Sequence, residues 1–158
     1  MSTYSPFSAK QLLPQEEKLE IAKHKSELFI GIPKEISYQE RRICLTPDAV
    51  SSLVSHGHRV MVECGAGKNA SFSDKDYSDA GAEVTHDTKK IFSCPIILKV
   101  EPPTLEEIEM MNMEAILISA IQLKTQKKEY FEAITKKKIT SLAFEFIKDS
   151  DGSYPAVK

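Results

Sequence analysis

Lys99 stands near the end of the apolar run Pro95 to Val100, where a lysine needs a reason. Burial disfavours an ammonium and lowers its pKa, which suits it to polarise a carbonyl or to move a proton. The alternative is a side chain that snorkels out of the edge of a core. Gln122 follows a second apolar run, Ala115 to Ile121. Its amide donates and accepts hydrogen bonds but transfers no proton at neutral pH. A third group, Lys34, Glu35, Glu40, Arg41 and Arg42, follows the run Leu28 to Pro33. Arginine presents a planar fork that grips a carboxylate through two parallel hydrogen bonds. Arg41 and Arg42 are adjacent and so point different ways, which leaves one for a cleft and one for solvent. A solvated charge cluster is the competing reading. Glu145 interrupts the stretch from Leu142 to Phe146, and a carboxylate there calls for a partner such as Lys99 or Arg42. His56 and His58 flank the helix-ending Gly57 and so diverge, and His24, His56, His58 and His86 all read as surface or capping residues.

A glycine loop offers a different chemistry. Gly65-Ala66-Gly67-Lys68-Asn69-Ala70 fits G-x-G-x-x-A, the dinucleotide-binding pattern. That pattern works only where a helix begins within the loop, so that its N-terminus meets the pyrophosphate. Here the first credible helix cap is Ser73, and the helix it opens runs only to Gly81. The loop is therefore read as a tight turn whose glycines allow positive φ or a close approach to a neighbour.

The elements that must hold these residues alternate. Residues 1–27 are polar and form an N-terminal extension, in which Pro14 can open a helix followed by acidic residues. From residue 28 the chain reads as strand and helix in turn. Strands are expected at Leu28–Pro33, Arg59–Cys64, Ala82–Thr85, Pro95–Val100, Ala115–Ile121 and Ile139–Ile147. Thr46 caps a helix with Pro47 at its first position and Gly57 just beyond its end. Thr104 and Glu107 form a capping box, and Gln126 to Lys138 is a helix with Tyr130, Phe131 and Ile134 inward and lysines at its C-terminal end. Several strands are continuous apolar runs, the mark of a parallel sheet covered on both faces. The expected fold is a Rossmann-like or flavodoxin-like α/β domain over 28–158, an open parallel sheet in a three-layer α/β/α arrangement. Ligands of such sheets gather at the carboxyl ends of the strands, where Lys99, Gln122 and the Arg42 loop lie.

Composition excludes several classes. The net charge of −2 gives no basic excess for nucleic acid, and no apolar run approaches the roughly 20 residues that span a membrane. Cys44, Cys64 and Cys94 form no C-x-x-C pair, so a disulfide framework or a metal site is not expected. Buried, reduced thiols in a cytoplasmic protein fit best.

The motifs G-x-P-K-E, E-x-R-x-x-L-T-P, V-E-x-G-A-G, F-x-D-x-x-Y, A-G-A-E and I-L-K-V occur in that order between about residues 28 and 155. This ordered set resembles the start of alanine dehydrogenases. It also resembles the related N-terminal part of the nicotinamide nucleotide transhydrogenase alpha subunit and, more distantly, the saccharopine dehydrogenases. The resemblance implies a substrate domain in an NAD-dependent oxidoreductase, with NAD held by a Rossmann domain that this chain lacks. It implies that Arg42 holds the substrate carboxylate, that Lys99 contacts the keto or imino group, and that the reaction interconverts L-alanine with pyruvate and ammonia. It further implies a piece of a longer protein that forms a homo-oligomer. One position departs: a stretch like Y-L-H-L-A, with its catalytic histidine, is here Ala120-Ile121-Gln122-Leu123-Lys124. That substitution leaves open a transhydrogenase-type domain or a catalytically silent carboxylate-binding module.

Overall fold

The strands are short and apolar, and they join in one sheet. The computed structural model describes residues 27–37, 39–150 and 152–154. The helix expected from Pro14, and His24, fall outside them. Six strands, β1 (Phe29–Ile32), β2 (Arg59–Glu63), β3 (Glu83–Thr85), β4 (Ile96–Leu98), β5 (Ile116–Ser119) and β6 (Thr140–Ala143), pair in the order β3-β2-β1-β4-β5-β6. Every pairing is parallel. The order reverses between β1 and β4, which opens a crevice at their carboxyl ends.

Parallel strands need crossovers, and the sequence caps them locally. Helix α1 (Pro47–Ser55) starts at Thr46, whose side chain accepts from the Ala49 N–H. Helix α2 (Asp74–Asp79) starts in a capping box between Ser73 and Asp76. A five-residue helix, α3 (Thr88–Phe92), is capped by Asp87. The sequence pattern does not announce it, because five residues are too few to show a 3.6-residue period. Helix α4 (Leu105–Met110) opens with the expected capping box of Thr104 and Glu107, and α5 (Lys128–Lys136) completes the set.

Side-chain alternation along the strands divides the core into two layers. On one face Ile30, Ile32, Val60 and Val62 pack with Val50 of α1 and Tyr77 of α2. On the other, Met61, Ile97 and Leu117 pack with Ile91 and Phe92 of α3, Ile108 of α4 and Tyr130 of α5. The expected three-layer α/β/α arrangement is present.

Several element ends differ from the sequence reading, and two of them bear on the site. β6 stops at Ala143, and Phe144–Phe146 forms a 3-10 turn in place of continuing strand. The turn lets the Glu145 carboxylate reach back to the backbone beyond β5. β4 stops at Leu98, although the Lys99 N–H still donates to Ile118 at 3.0 Å.

The glycine loop is a structural turn. It follows β2, not the central β1, and Gly67 leads into the single 3-10 turn Lys68–Ala70 before α2 begins. Gly65 has φ of +76°, and a Cβ on Gly67 would stand 2.6 Å from Tyr77 Cε2 and 2.9 Å from the Phe72 carbonyl. The space over Gly67 is thus filled by the protein's own aromatic packing. Gly67→Ala is expected to lower the unfolding free energy by about 1–3 kcal/mol through overpacking, read as a drop in the urea midpoint. An unchanged midpoint contradicts the packing role.

Candidate functional site

The crevice between β1 and β4 holds a buried ion cluster. Lys99 is only 2% exposed, and its Nζ lies 3.0 Å from Glu107 Oε1, 3.2 Å from Glu107 Oε2 and 3.4 Å from Glu35 Oε2. An ammonium taken out of water needs such partners, because desolvation otherwise costs more than any packing there returns. The snorkelling alternative is set aside: the side chain is sealed.

Each partner is fixed by its own backbone context. Glu107 sits at the third position of α4, and its Oε2 also accepts the Thr104 N–H at 2.8 Å. One carboxylate therefore closes the helix's capping box and neutralises Lys99. Glu35 follows β1, and its Oε1 accepts the Val100 N–H at 2.6 Å. Its Oε2 is buried and takes no hydrogen bond, only the longer contact with Lys99. Burial pushes the Glu35 carboxyl above its ordinary 4.5, against the opposing pull of the Lys99 charge and the Val100 N–H.

Arg42 stands at the rim. Glu40 takes its Nε–H at 2.9 Å and its Nη2–H at 2.7 Å, a two-pronged grip from two residues away. Glu40 is 8% exposed and Arg42 71% exposed, so a sunken carboxylate aims an open guanidinium. The hydrogen bond from Arg42 holds the Glu40 carboxyl below its ordinary value. Arg41 and Lys34 are exposed. Cys44 lies between the groups: burial and the Glu35 charge push its thiol up to about 12, while Lys99 and Arg42 pull the other way. Arg42 and Lys99 thus belong to one neighbourhood.

Two clefts open beside the cluster. One, of about 390 Å³, is walled by Lys34, Glu35, Glu63, Thr88, Thr104 and Glu107 among others. The other, of about 280 Å³, pairs Arg42 and Cys44 with the apolar Leu98, Val100, Ile118 and Phe144. The second suits a small ligand with one carboxylate and one short apolar group.

Gln122 sits apart from the ions. It is exposed, has φ of +52°, and lies three residues beyond β5. Glu145 does not pair with Lys99 or Arg42, contrary to the sequence expectation. Its Oε1 accepts the N–H groups of Ile121 at 2.8 Å and Gln122 at 2.9 Å, so it shapes the Gln122 turn. Glu35 and Glu107 were not singled out as lysine partners by sequence reasoning. Glu107 was legible as a cap, but its second role needs the register of α4 against β4. The remaining histidines behave as caps and surface residues: His56 Nδ1 lies 2.6 Å from the Ser52 carbonyl, His58 Nδ1 accepts from Leu28, and His86 is exposed. All three cysteines are free, with Cys94 buried and Cys44 and Cys64 only half-buried.

Comparison with known proteins places this architecture. The family model "Alanine dehydrogenase/PNT, N-terminal domain" matches residues 31–158. Alanine dehydrogenase of Bacillus subtilis (strain 168) is 37% identical over 122 residues, covering 77% of this chain and 32% of that protein. A solved L-alanine dehydrogenase superposes with a TM-score of 0.76 at 35% identity, over 81% of this chain and 35% of the other. A transhydrogenase from Sinorhizobium meliloti superposes with a TM-score of 0.67 at 31% identity, over 74% of this chain and 35% of the other. The chain thus spans about a third of the length of the relatives it matches.

The cluster makes two stability predictions. Lys99→Met leaves two buried carboxylates without a counter-charge and should cost about 3–5 kcal/mol at pH 7 by urea unfolding. The cost should shrink as the pH falls and Glu35, whose carboxyl is already raised by burial, takes up a proton; a small, pH-independent loss contradicts the clamp. Glu35 has a folded pKa above its unfolded one, so its contribution is full below 4.5 and is lost as pH rises through the folded value. Glu35→Gln should therefore gain stability relative to the wild type as pH climbs through that window, and a constant difference across it contradicts the shift.

Proposed function

The chain belongs to the alanine dehydrogenase/PNT N-terminal domain family, and on that premise we propose that it is the substrate-binding part of an NAD-dependent dehydrogenase interconverting L-alanine with pyruvate and ammonia. One observation carries the reading. A glutamate-held arginine and a clamped lysine, both within electrostatic reach of Cys44, lie near the switch point of a parallel sheet, where such sheets take ligands.

Glu40 occupies the Nε–Nη2 edge of Arg42 and leaves the Nη1 side to receive the substrate carboxylate. Leu98, Val100, Ile118 and Phe144 then offer an apolar wall to a methyl group. Lys99, sealed and held by Glu107 and Glu35, would act on the keto or imino group through its charge rather than by direct contact. Its clamp keeps the ammonium in one place, so that little reorganisation accompanies the change in charge on the substrate.

The cofactor site belongs elsewhere. Gly65 to Ala70 leads only into a three-residue 3-10 turn and not into an α-helix, and Tyr77 and Phe72 fill the ground over Gly67. NAD is accordingly assigned to residues outside this chain, in a complete protein read as a homo-oligomer. The three free cysteines suit a reducing cytoplasm.

Gln122 favours a second reading. An exposed amide stands where the resemblance puts a catalytic histidine, which suits a transhydrogenase-type domain that moves hydride between nicotinamides.

The complete protein should oxidise NADH with pyruvate plus ammonia. Arg42→Ala should raise the KM for pyruvate by at least tenfold, the loss of a charged hydrogen-bonding partner being worth about 1.5–3 kcal/mol. Glu40→Gln should raise it less, since the arginine stays but loses its aim. No turnover of keto acids, together with hydride exchange between NADH and an NADP analogue, overturns the proposal in favour of the second reading.

A further inference from the structure

We propose that Phe144 sets the size limit on the substrate's side chain, and that Glu145 is the positioning residue that holds Phe144 in place. The proposal rests on the dehydrogenase reading above and deepens it by naming what restricts the acid to a short chain.

Phe144 lines the same cleft as Arg42. A carboxylate anchored on that arginine leaves its side chain the apolar remainder of the space, bounded by Ile43, Leu98, Val100, Ile118 and Phe144. At about 280 Å³ the cleft lies below the roughly 300–1,000 Å³ typical of sites for drug-sized ligands. The floor does not impose that limit. Leu98 pairs with Ile118, and Ile118 with Leu142, so the three side chains form one row on one face of the sheet. Leu142 is 49% exposed and is not part of the lining. The apolar floor therefore runs on past the ligand space. Two residues beyond Leu142 comes Phe144, the one aromatic ring among the described residues of the lining.

The ring stands where it does because the strand ends. β6 stops at Ala143, and Phe144 opens the 3-10 turn that runs to Phe146. Apolar packing does not hold this turn down, since Phe146 and Ile147 are 55% and 53% exposed. Glu145 does: its Oε1 accepts the Ile121 N–H at 2.8 Å and the Gln122 N–H at 2.9 Å. Hydrogen bonds from a backbone N–H to a carboxylate are of the stronger, charge-assisted kind. They fasten the turn to the segment that leaves β5, the strand whose Ile118 forms the neighbouring wall of the cleft. A methyl group fits in front of the ring, and a longer chain runs into it.

Steady-state amination of pyruvate, 2-oxobutyrate and 2-oxovalerate by the complete protein tests both roles. The wild type should favour pyruvate. Phe144→Ala should raise kcat/KM for 2-oxovalerate relative to pyruvate by at least tenfold, the low end of what one methylene is worth in an apolar pocket. Phe144→Leu, a milder cut that keeps the test open should the alanine variant not fold, should move the ratio the same way by less. Glu145→Ala leaves the ring intact but should also relax the preference. Glu145→Gln keeps an oxygen acceptor and should restore most of the wild-type ratio. A general loss of stability lowers activity toward all three acids alike and leaves the ratio where it was. An unmoved ratio in the Phe144 variants overturns the size limit, as does a wild type that favours the longer acids. A wild-type ratio in Glu145→Ala overturns the positioning role. These outcomes leave the dehydrogenase reading intact, because pyruvate is still turned over. A wild-type protein that turns over no keto acid overturns that reading, and the size limit with it.

Discussion

A lysine ammonium buried at the end of a central strand must be neutralised where it stands, and the carboxyl end of this sheet is arranged around that demand. Glu107 reaches Lys99 from α4, and Glu35 reaches it from the loop after β1. Neither carboxylate serves the lysine alone. Glu107 also satisfies the first turn of its helix, and Glu35 also satisfies the Val100 backbone. Removing the lysine would therefore disturb a helix start and a loop as well as an ion pair. The same coupling gives the site its rigidity: the charge cannot drift without breaking backbone hydrogen bonds.

Topology decides why this crevice, and no other, gathers the chemistry. The strand order turns back between β1 and β4, so the loops leaving these strands diverge to opposite sides and leave space between them. The glycine loop leaves β2, one strand further out, and its residues are spent on packing against Tyr77 and Phe72. A motif that resembles a cofactor fingerprint is thus a corner that brings α2 close to the sheet. The arginine rim borders the apolar cleft beside Leu98, and the two glutamates that hold the lysine line the more polar cleft.

How much of this the chain announces depends on the range of each interaction. Local signals were legible: Thr46, Ser73 and Thr104 cap helices because each contact spans three residues. The continuous apolar strands announced a covered parallel sheet. Lys99 stood out because a charge at the end of PIIL is costly wherever the strand sits. Its partners did not, since Glu35 is 64 residues away along the chain and Glu107 looked fully employed as a cap. The Arg42–Glu40 grip spans two residues, yet nothing in the pattern E-R-R says which arginine the carboxylate takes. Glu145 was read as a lysine or arginine partner because only its charge was visible. The backbone turn that delivers it to Ile121 and Gln122 belongs to the end of β6. The five-residue α3 was missed because it is shorter than the window in which periodicity shows.

On the proposed reading a small acid binds beside Arg42 and Lys99, and no nucleotide binds at the glycine loop. Nitrogen NMR of the protein, following Lys99 Nζ, Arg42 Nε and the backbone amides of Gly65 and Gly67 during titration with pyruvate and then NADH, tests it most directly. Pyruvate should shift the Lys99 and Arg42 signals, and the Gly65 and Gly67 amides should stay unmoved by either ligand. Silent Lys99 and Arg42 signals, with NADH shifting the two glycine amides, would contradict it.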